Sequence, residues 1–166
     1  MDKGAITQKV LGKALSFLGY RVRTRKELDQ RIDKYLGVYK ALSEVDRNDV
    51  KSLVLVSLEE EGLIDDKEFA RIFIESKTRG GRVLGRRLIE NKLVALGVEK
   101  DVIAECLNNK LGEDGELEGA VGLVAKKYKA INTSSDFVIR AQRYLMSRGF
   151  SYSIAKQAVD YLLKRP

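Results

Sequence analysis

Apolar residues recur at helical spacing from one end of this 166-residue chain to the other, most of these stretches stop at a glycine, and the whole sequence contains one proline. A 3.6-residue period punctuated by glycine restricts the fold to helices joined by short turns, because a strand would need strict alternation. The first stripe is Val10, Leu11, Ala14, Leu15 and Leu18, closed by Gly19. Thr24 with Glu27 three residues later has the form of a capping box, which satisfies two free backbone amides at a helix start. Leu28, Ile32, Tyr35 and Leu36 follow it as an inner face ending at Gly37. A third helix is expected with Asn48 as N-cap and Val50, Leu53, Val54 and Leu58 as its stripe, stopping at Gly62. Asp65 and Glu68 repeat the capping pattern ahead of Phe69, Ala70, Ile72 and Phe73.

Beyond a flexible Arg79-Gly80-Gly81-Arg82 connection, Leu84, Leu88, Ile89, Leu93 and Leu96 mark a fifth helix ending at Gly97. Val102, Ile103, Cys106 and Leu107 mark a sixth ending at Gly112, after which a polar, glycine-containing break is expected. The seventh carries Leu117, Val121, Val124, Ala125 and Tyr128, and the eighth Val138, Ala141 and Leu145 before Gly149. The ninth carries Ile154, Ala155, Ala158, Val159 and Leu162. Gly19, Gly37, Gly62, Gly97 and Gly149 are each followed by an apolar residue, the pattern of a stop in which glycine turns left-handed and the next residue folds back on the last turn.

The expected fold is therefore all-α. It reads as an elongated tandem array of three three-helix units over 1–62, 63–112 and 113–166, with residues 38–48 giving the first unit a longer connection. Units of this size are marginal alone and must pack on their neighbours. Leu63, Phe69 and Phe150 are read as core, Thr24, Glu27 and Asp65 as capping residues, and Gly97 and Gly149 as stops.

Several chemistries are disfavoured. With no histidine and one cysteine, Cys106, there is no internal disulfide and no ordinary zinc set, and Cys106 is read as a small buried hydrophobe. Gly80-x-x-x-x-Gly85 has the opening of a phosphate loop, but Arg86-Arg87 stands where Lys and a hydroxyl residue are required. Asp65-Asp66 precedes a helical stripe and reads as a helix start rather than a metal site. No nucleophile, base and oxyanion set is evident, so neither enzyme activity nor a cofactor is expected. No apolar run approaches the roughly 20 residues of a membrane span, and the start Met1-Asp2-Lys3-Gly4 lacks a signal-peptide core, so a cytoplasmic location is expected.

The formal net charge of +7 favours an acidic or polyanionic partner. Its arginines are grouped: Arg21 and Arg23 with Arg25; Arg79, Arg82, Arg86 and Arg87 with Lys77; Arg140, Arg143 and Arg148. Any one such group is ordinarily a solvated face. Their recurrence near equivalent junctions, and the guanidinium's bidentate fit to carboxylate and phosphate, make Arg21, Arg23, Arg79, Arg82, Arg86, Arg87, Arg140, Arg143 and Arg148 the candidate partner-binding residues.

Three stretches resemble the RecX family of recombinase regulators: Ala14-Leu15-x-x-Leu18-x-x-Arg21-x-Arg23-Thr24-x-x-Glu27-Leu28, Gly62-Leu63-Ile64-Asp65-Asp66-x-x-Phe69-Ala70-Arg71, and Arg148-Gly149-Phe150-Ser151-Tyr152. They run in order through almost the whole chain. The chain departs from the family where Val83-Leu84-Gly85 replaces a frequent Gly-Pro before the fifth helix. The resemblance implies homeodomain-like three-helix units lying in the groove of a RecA filament, and inhibition of recombinase, ATPase and coprotease activity in DNA repair. A monomer bound to the filament is expected, with possible contact to single-stranded DNA or its phosphates. An independent nucleic-acid-binding module and a helical peptide-binding scaffold are the competing readings. The first would show a steep salt slope on bare DNA and the second an apolar groove.

Overall fold

A computed structural model describes residues 2–79, 83–128, 131 and 133–164. Among them are nine helices: α1 (Lys3–Leu18), α2 (Arg25–Leu36), α3 (Glu44–Glu60), α4 (Asp66–Thr78), α5 (Arg86–Ala95), α6 (Lys100–Lys110), α7 (Glu113–Lys127), α8 (Ser135–Ser147) and α9 (Tyr152–Leu163). The chain is all-α. It forms two compact units, one of Met1–Phe69 with Leu96–Val98, the other of Ala70–Ala95 with Glu99–Pro166.

In the first unit α1, α2 and α3 pack on one another. Their shared core is Ile6, Val10, Ala14, Leu28, Ile32, Leu36, Val50, Val54, Leu55 and Leu58. Charged side chains bind the helices together outside it. Lys3 reaches Asp46 at 3.1 Å and Asp49 at 2.6 Å, and Lys51 reaches Asp33 at 3.0 Å and Asp29 at 3.3 Å. The hydrogen bond to Asp49, then that to Asp46, raises the Lys3 ammonium's pKa, and the bond to Asp33 does the same for Lys51. The Ser43 hydroxyl and then Lys3 hold the Asp46 carboxyl below its usual range.

In the second unit α7, α8 and α9 pack together, as α5 does with α6. The core of the three-helix bundle contains Ala120, Val124, Phe137, Ala141, Leu145, Phe150, Ala155, Ala158 and Val159.

Helices α2 and α5 start the same way. In the first unit the Thr24 hydroxyl accepts from Glu27 N–H at 3.2 Å while the Glu27 carboxylate accepts from Thr24 N–H at 3.2 Å, closing a capping box on α2. The same hydroxyl donates to the Leu96 carbonyl at 2.7 Å, and the Asp66 carboxylate accepts from Arg25 N–H at 2.8 Å. In the second unit Glu116 accepts from Arg86 N–H at 3.0 Å, the Gly149 carbonyl from Arg87 N–H at 3.1 Å and the Arg148 carbonyl from Gly85 N–H at 2.9 Å. Each helix start thus receives a carboxylate from a later helix and a carbonyl from a later glycine-terminated end. Thr24 and Glu116 are the buried polar residues of these junctions, and partnering is what permits their burial.

Local stops differ from the expected pattern. Gly62, Gly97 and Gly149 have φ of +67°, +89° and +91°, whereas Gly19 and Gly37 stay right-handed at −62° and −59°. At Gly37 a side chain would meet only carbonyls of its own helix, so no neighbour forces the turn. At Gly97 a Cβ would lie 2.5 Å from Lys26 Cβ, so this end closes tightly on the start of α2.

Other expectations are corrected. Ser43, not Asn48, caps α3, accepting from Asp46 N–H, and the connection is shorter than 38–48. The first turn of α3 carries Glu44, Asp46 and Arg47 with an exposed Val45, so the buried apolar stripe begins well after the helix does. Leu63 is 44% exposed: its N–H folds back to the Leu58 carbonyl, and Ile64 packs on the core instead. Leu15, Leu53, Ile72 and Ala125 also lie outside the core, while Ile6, Leu55, Ile74, Ala120 and Leu123 lie within it. No polar break follows Gly112. Helix α7 starts at Glu113 and carries Gly115, Gly119 and Gly122 within it. Burial of Ala120, Leu123 and Val124 outweighs the roughly 1 kcal/mol that each interior glycine costs.

Phe69 and Phe150 are buried, as is Cys106. Asp65 caps α4, its carboxylate accepting from Glu68 N–H at 2.9 Å. Asp65→Ala is expected to cost about 0.5–2 kcal/mol in a urea melt, with Asp65→Ser nearly neutral. A divalent metal that raised the melting temperature of the wild type but not of Asp65→Ser would overturn the capping role.

Candidate partner-binding surface

The arginines singled out from the sequence fall into distinct local settings. In the first unit Arg21 and Arg23 converge on Glu27, which already closes the capping box of α2. Arg21 is half-exposed, and its Nη1 also donates to the Val22 carbonyl at 3.0 Å. Arg23 is only 16% exposed, with its guanidinium 4.2 Å from the Phe17 ring centroid.

Beside them stands a group that the sequence reading missed. Arg31 lies 5.1 Å from both the Phe17 and Tyr35 ring centroids and donates from Nε to the Tyr35 hydroxyl at 3.0 Å, while Lys13 sits 5.5 Å from the Tyr35 ring. Cations held against ring faces keep their charge available and fixed in direction. The signal was present in the four-residue spacings Lys13/Phe17 and Arg31/Tyr35, which put each pair on one helical face.

In the second unit Arg79 is 79% exposed and paired with Glu75 at 2.7 Å. It joins Lys110 and Lys126 in lining a groove of about 520 Å³ that runs over the glycines of α7. At Gly119 a Cβ would come 3.1 Å from Val83, so the bare backbone admits close approach there. Arg82 lies outside the described residues. Arg86 donates to Asn108 Oδ1 at 2.6 Å and lines a second cavity together with Arg87.

Arg140 is paired with Asp136 at 3.0 Å on α8, and Arg143 is exposed on the same helix. Arg148 lies 5.4 Å from the Tyr144 ring centroid and Lys127 3.6 Å from it, a second cation–aromatic group. Tyr128 supports that group edge-on, against Tyr144 and Phe137.

These settings suit recognition. Guanidinium and ammonium groups are positioned by carboxylates, amides and rings, and they offer donors to an acidic surface. Among the described residues no group of three or more His, Cys, Asp or Glu could hold a metal, and no helix is long and apolar enough to cross a membrane.

Residues 114–159, which span most of α7–α9, match the family model described as RecX, third three-helix domain. The regulatory protein RecX of Lactococcus lactis subsp. cremoris strain MG1363 is 33% identical over 168 residues, covering 95% of this chain and 57% of that protein. That of Bacillus subtilis strain 168 is 30% identical over 165 residues, covering 96% and 57%. The chain therefore spans a little over half the length of these relatives. The crystal structure of RecX from Lactobacillus salivarius superposes with a TM-score of 0.79 at 23% identity, covering 96% of this chain and 97% of that one. A second crystal structure of regulatory protein RecX gives 0.77 at 19%, covering 95% and 73%. With a matched third three-helix domain and RecX relatives at 30–33% identity along 95% or more of its length, the chain belongs to the RecX family.

Proposed function

We propose that this chain is a cytoplasmic regulator that binds RecA nucleoprotein filaments as a monomer, restrains recombinase, ATPase and coprotease activity, and carries no catalytic centre. The observation that carries this reading is the family relationship, with relatives named regulatory protein RecX matching along 95% or more of the chain. The surface supports it. Arginines are held against Glu27, Asn108 and Tyr144 in geometries that present donors to an acidic partner, and among the described residues the pairs Tyr128–Phe137 and Tyr128–Tyr144 meet edge-on and do not form the stacked platform typical of single-strand binding. Three successive contact segments, 1–62, 63–112 and 113–166, would each engage part of the filament, and any contact with single-stranded DNA or its phosphates would be made there.

The test is co-sedimentation with RecA, with and without single-stranded DNA and nucleotide, alongside DNA-dependent ATP hydrolysis. Retention with the assembled filament and a slowed hydrolysis rate are expected. Binding to bare single-stranded DNA as tight as to the filament, with a steep salt slope, would replace this reading with an independent nucleic-acid-binding module.

A further inference from the structure

The second unit contains a cavity of about 360 Å³ lined by Arg86, Arg87, Glu116, Ser151, Ser153 and Gln157, with Leu111 and Ile154 as its apolar wall. We propose that it is a socket for a single carboxylate side chain, an Asp or Glu borne on a segment of a protein partner. The identification of the partner as protein rests on the filament-regulator reading; the socket's chemistry does not.

The hydrogen-bonding capacity of the cavity is one-sided. The Ser151 hydroxyl oxygen already accepts from Ile154 N–H at 3.2 Å, and the Ser153 hydroxyl oxygen accepts from the Gln157 amide at 3.1 Å. Each hydroxyl therefore retains its O–H to donate. Arg86 is anchored at both ends, its backbone N–H on Glu116 and its guanidinium on Asn108. Arg87 is held only through its backbone, whose N–H donates to the Gly149 carbonyl at 3.1 Å, and among the described residues its guanidinium has no hydrogen bond or ion pair. A free planar fork beside two spare hydroxyl donors calls for an acceptor with two oxygens.

Charge and shape narrow the occupant. Two guanidinium groups and the buried Glu116 carboxylate leave a net charge of about one positive unit, which a monoanion neutralises and a phosphate monoester of nearly two negative charges overshoots. Among the described residues none that lines the cavity is aromatic, so a nucleotide base would have nothing there to stack on. Leu111 and Ile154 instead offer a surface to an apolar neighbour of the acidic residue.

The experiment is amide and arginine Nε–H NMR of the full chain, titrated with the blocked pentapeptide Ala-Leu-Glu-Leu-Ala. Its Gln analogue, inorganic phosphate and an oligothymidylate are titrated in parallel. The Glu peptide should shift the Arg87, Ser151 and Ser153 signals and bind at least about tenfold more tightly than the Gln analogue, the scale of one charge-assisted hydrogen bond. Arg87→Gln should weaken it by a similar factor, and Lys9→Gln, at an exposed position on α1, should leave it unchanged. No peptide-induced shift at these residues, equal binding of the Gln analogue, an unaffected Arg87→Gln variant, or tighter occupancy by phosphate or oligonucleotide would each overturn the socket. Co-sedimentation with RecA separates the two readings. Filament binding with a failed peptide titration removes the socket alone, and a successful titration without filament binding removes RecA as the partner while the socket stands.

Discussion

Replacing Gly149 with alanine is expected to destabilise the second unit by about 2–5 kcal/mol, the sum of a left-handed backbone penalty of about 1–2 and an overpacking cost of about 1–3. The residue has φ of +91°, and a Cβ there would lie 2.7 Å from the Leu88 amide nitrogen. Neither side can yield cheaply. The Gly149 carbonyl accepts from Arg87 N–H, the Arg148 carbonyl from Gly85 N–H, and Phe150 beyond them is buried in the core of α7–α9. Gly85 faces the same contact from the other side, where a Cβ would run into the main chain of Gly149 and Phe150, so Gly85→Ala should also be costly. Gly62 provides the control. It has φ of +67° but open space around it, so alanine there should incur only the backbone penalty of about 1–2 kcal/mol. Thermal melts should show Gly149→Ala falling on the order of 10 °C, for a chain of this size. Equal losses at Gly149 and Gly62 would mean that the close approach contributes nothing.

That contact also shows which parts of the fold were legible in the sequence. Thr24 with Glu27, and Asp65 ahead of Phe69, could be read directly because a cap is made within four residues. Gly37 and Gly97 look alike in sequence, each ending the second helix of its group, yet only Gly97 is left-handed. The difference is Lys26, more than 70 residues away, against which the Gly97 end must close. No local pattern carries that information. Helix α7 was obscured for the same reason. Its three interior glycines argue for a break, and only the burial of Ala120, Leu123 and Val124 shows why the helix continues. At the candidate surface the arginine groups were legible as composition. Their partners were not: Glu116 reaches Arg86 from 30 residues along the chain, and Asn108 from 22. Arg31 lies eight residues from Arg23 in sequence, whereas Phe17 and Tyr35 gather Arg23, Arg31 and Lys13 in space.

On the proposed filament-regulator reading, a variant carrying Arg79→Glu, Arg82→Glu and Arg86→Gln is expected to bind RecA filaments at least about tenfold more weakly than the wild type and to lose most inhibition of ATP hydrolysis, while its circular dichroism is unchanged. Arg79 is highly exposed and its ion-pair partner Glu75 lies one turn away on the same helix, so its reversal leaves the core closed. Arg86 is taken to glutamine because a second carboxylate beside Glu116 would repel the group that caps α5, whereas an amide can still meet Asn108. A single exposed ion pair contributes about 0.2–1 kcal/mol, too little for a tenfold loss. A binder that touches a filament through several segments behaves otherwise: each engaged segment raises the effective concentration of the next, so weakening one group lowers the occupancy of all. The same logic predicts that the difference between wild type and variant narrows as salt rises, since screening weakens in the wild type the contacts that the variant lacks. The measurements are co-sedimentation and ATP hydrolysis at low and physiological salt on both proteins. A folded variant that inhibits as well as the wild type at both salts would show this group to be a solvated face, and the contact would then have to be sought at Arg31 and Tyr35 in the first unit or at Arg143 on α8 and Arg148 just past its end.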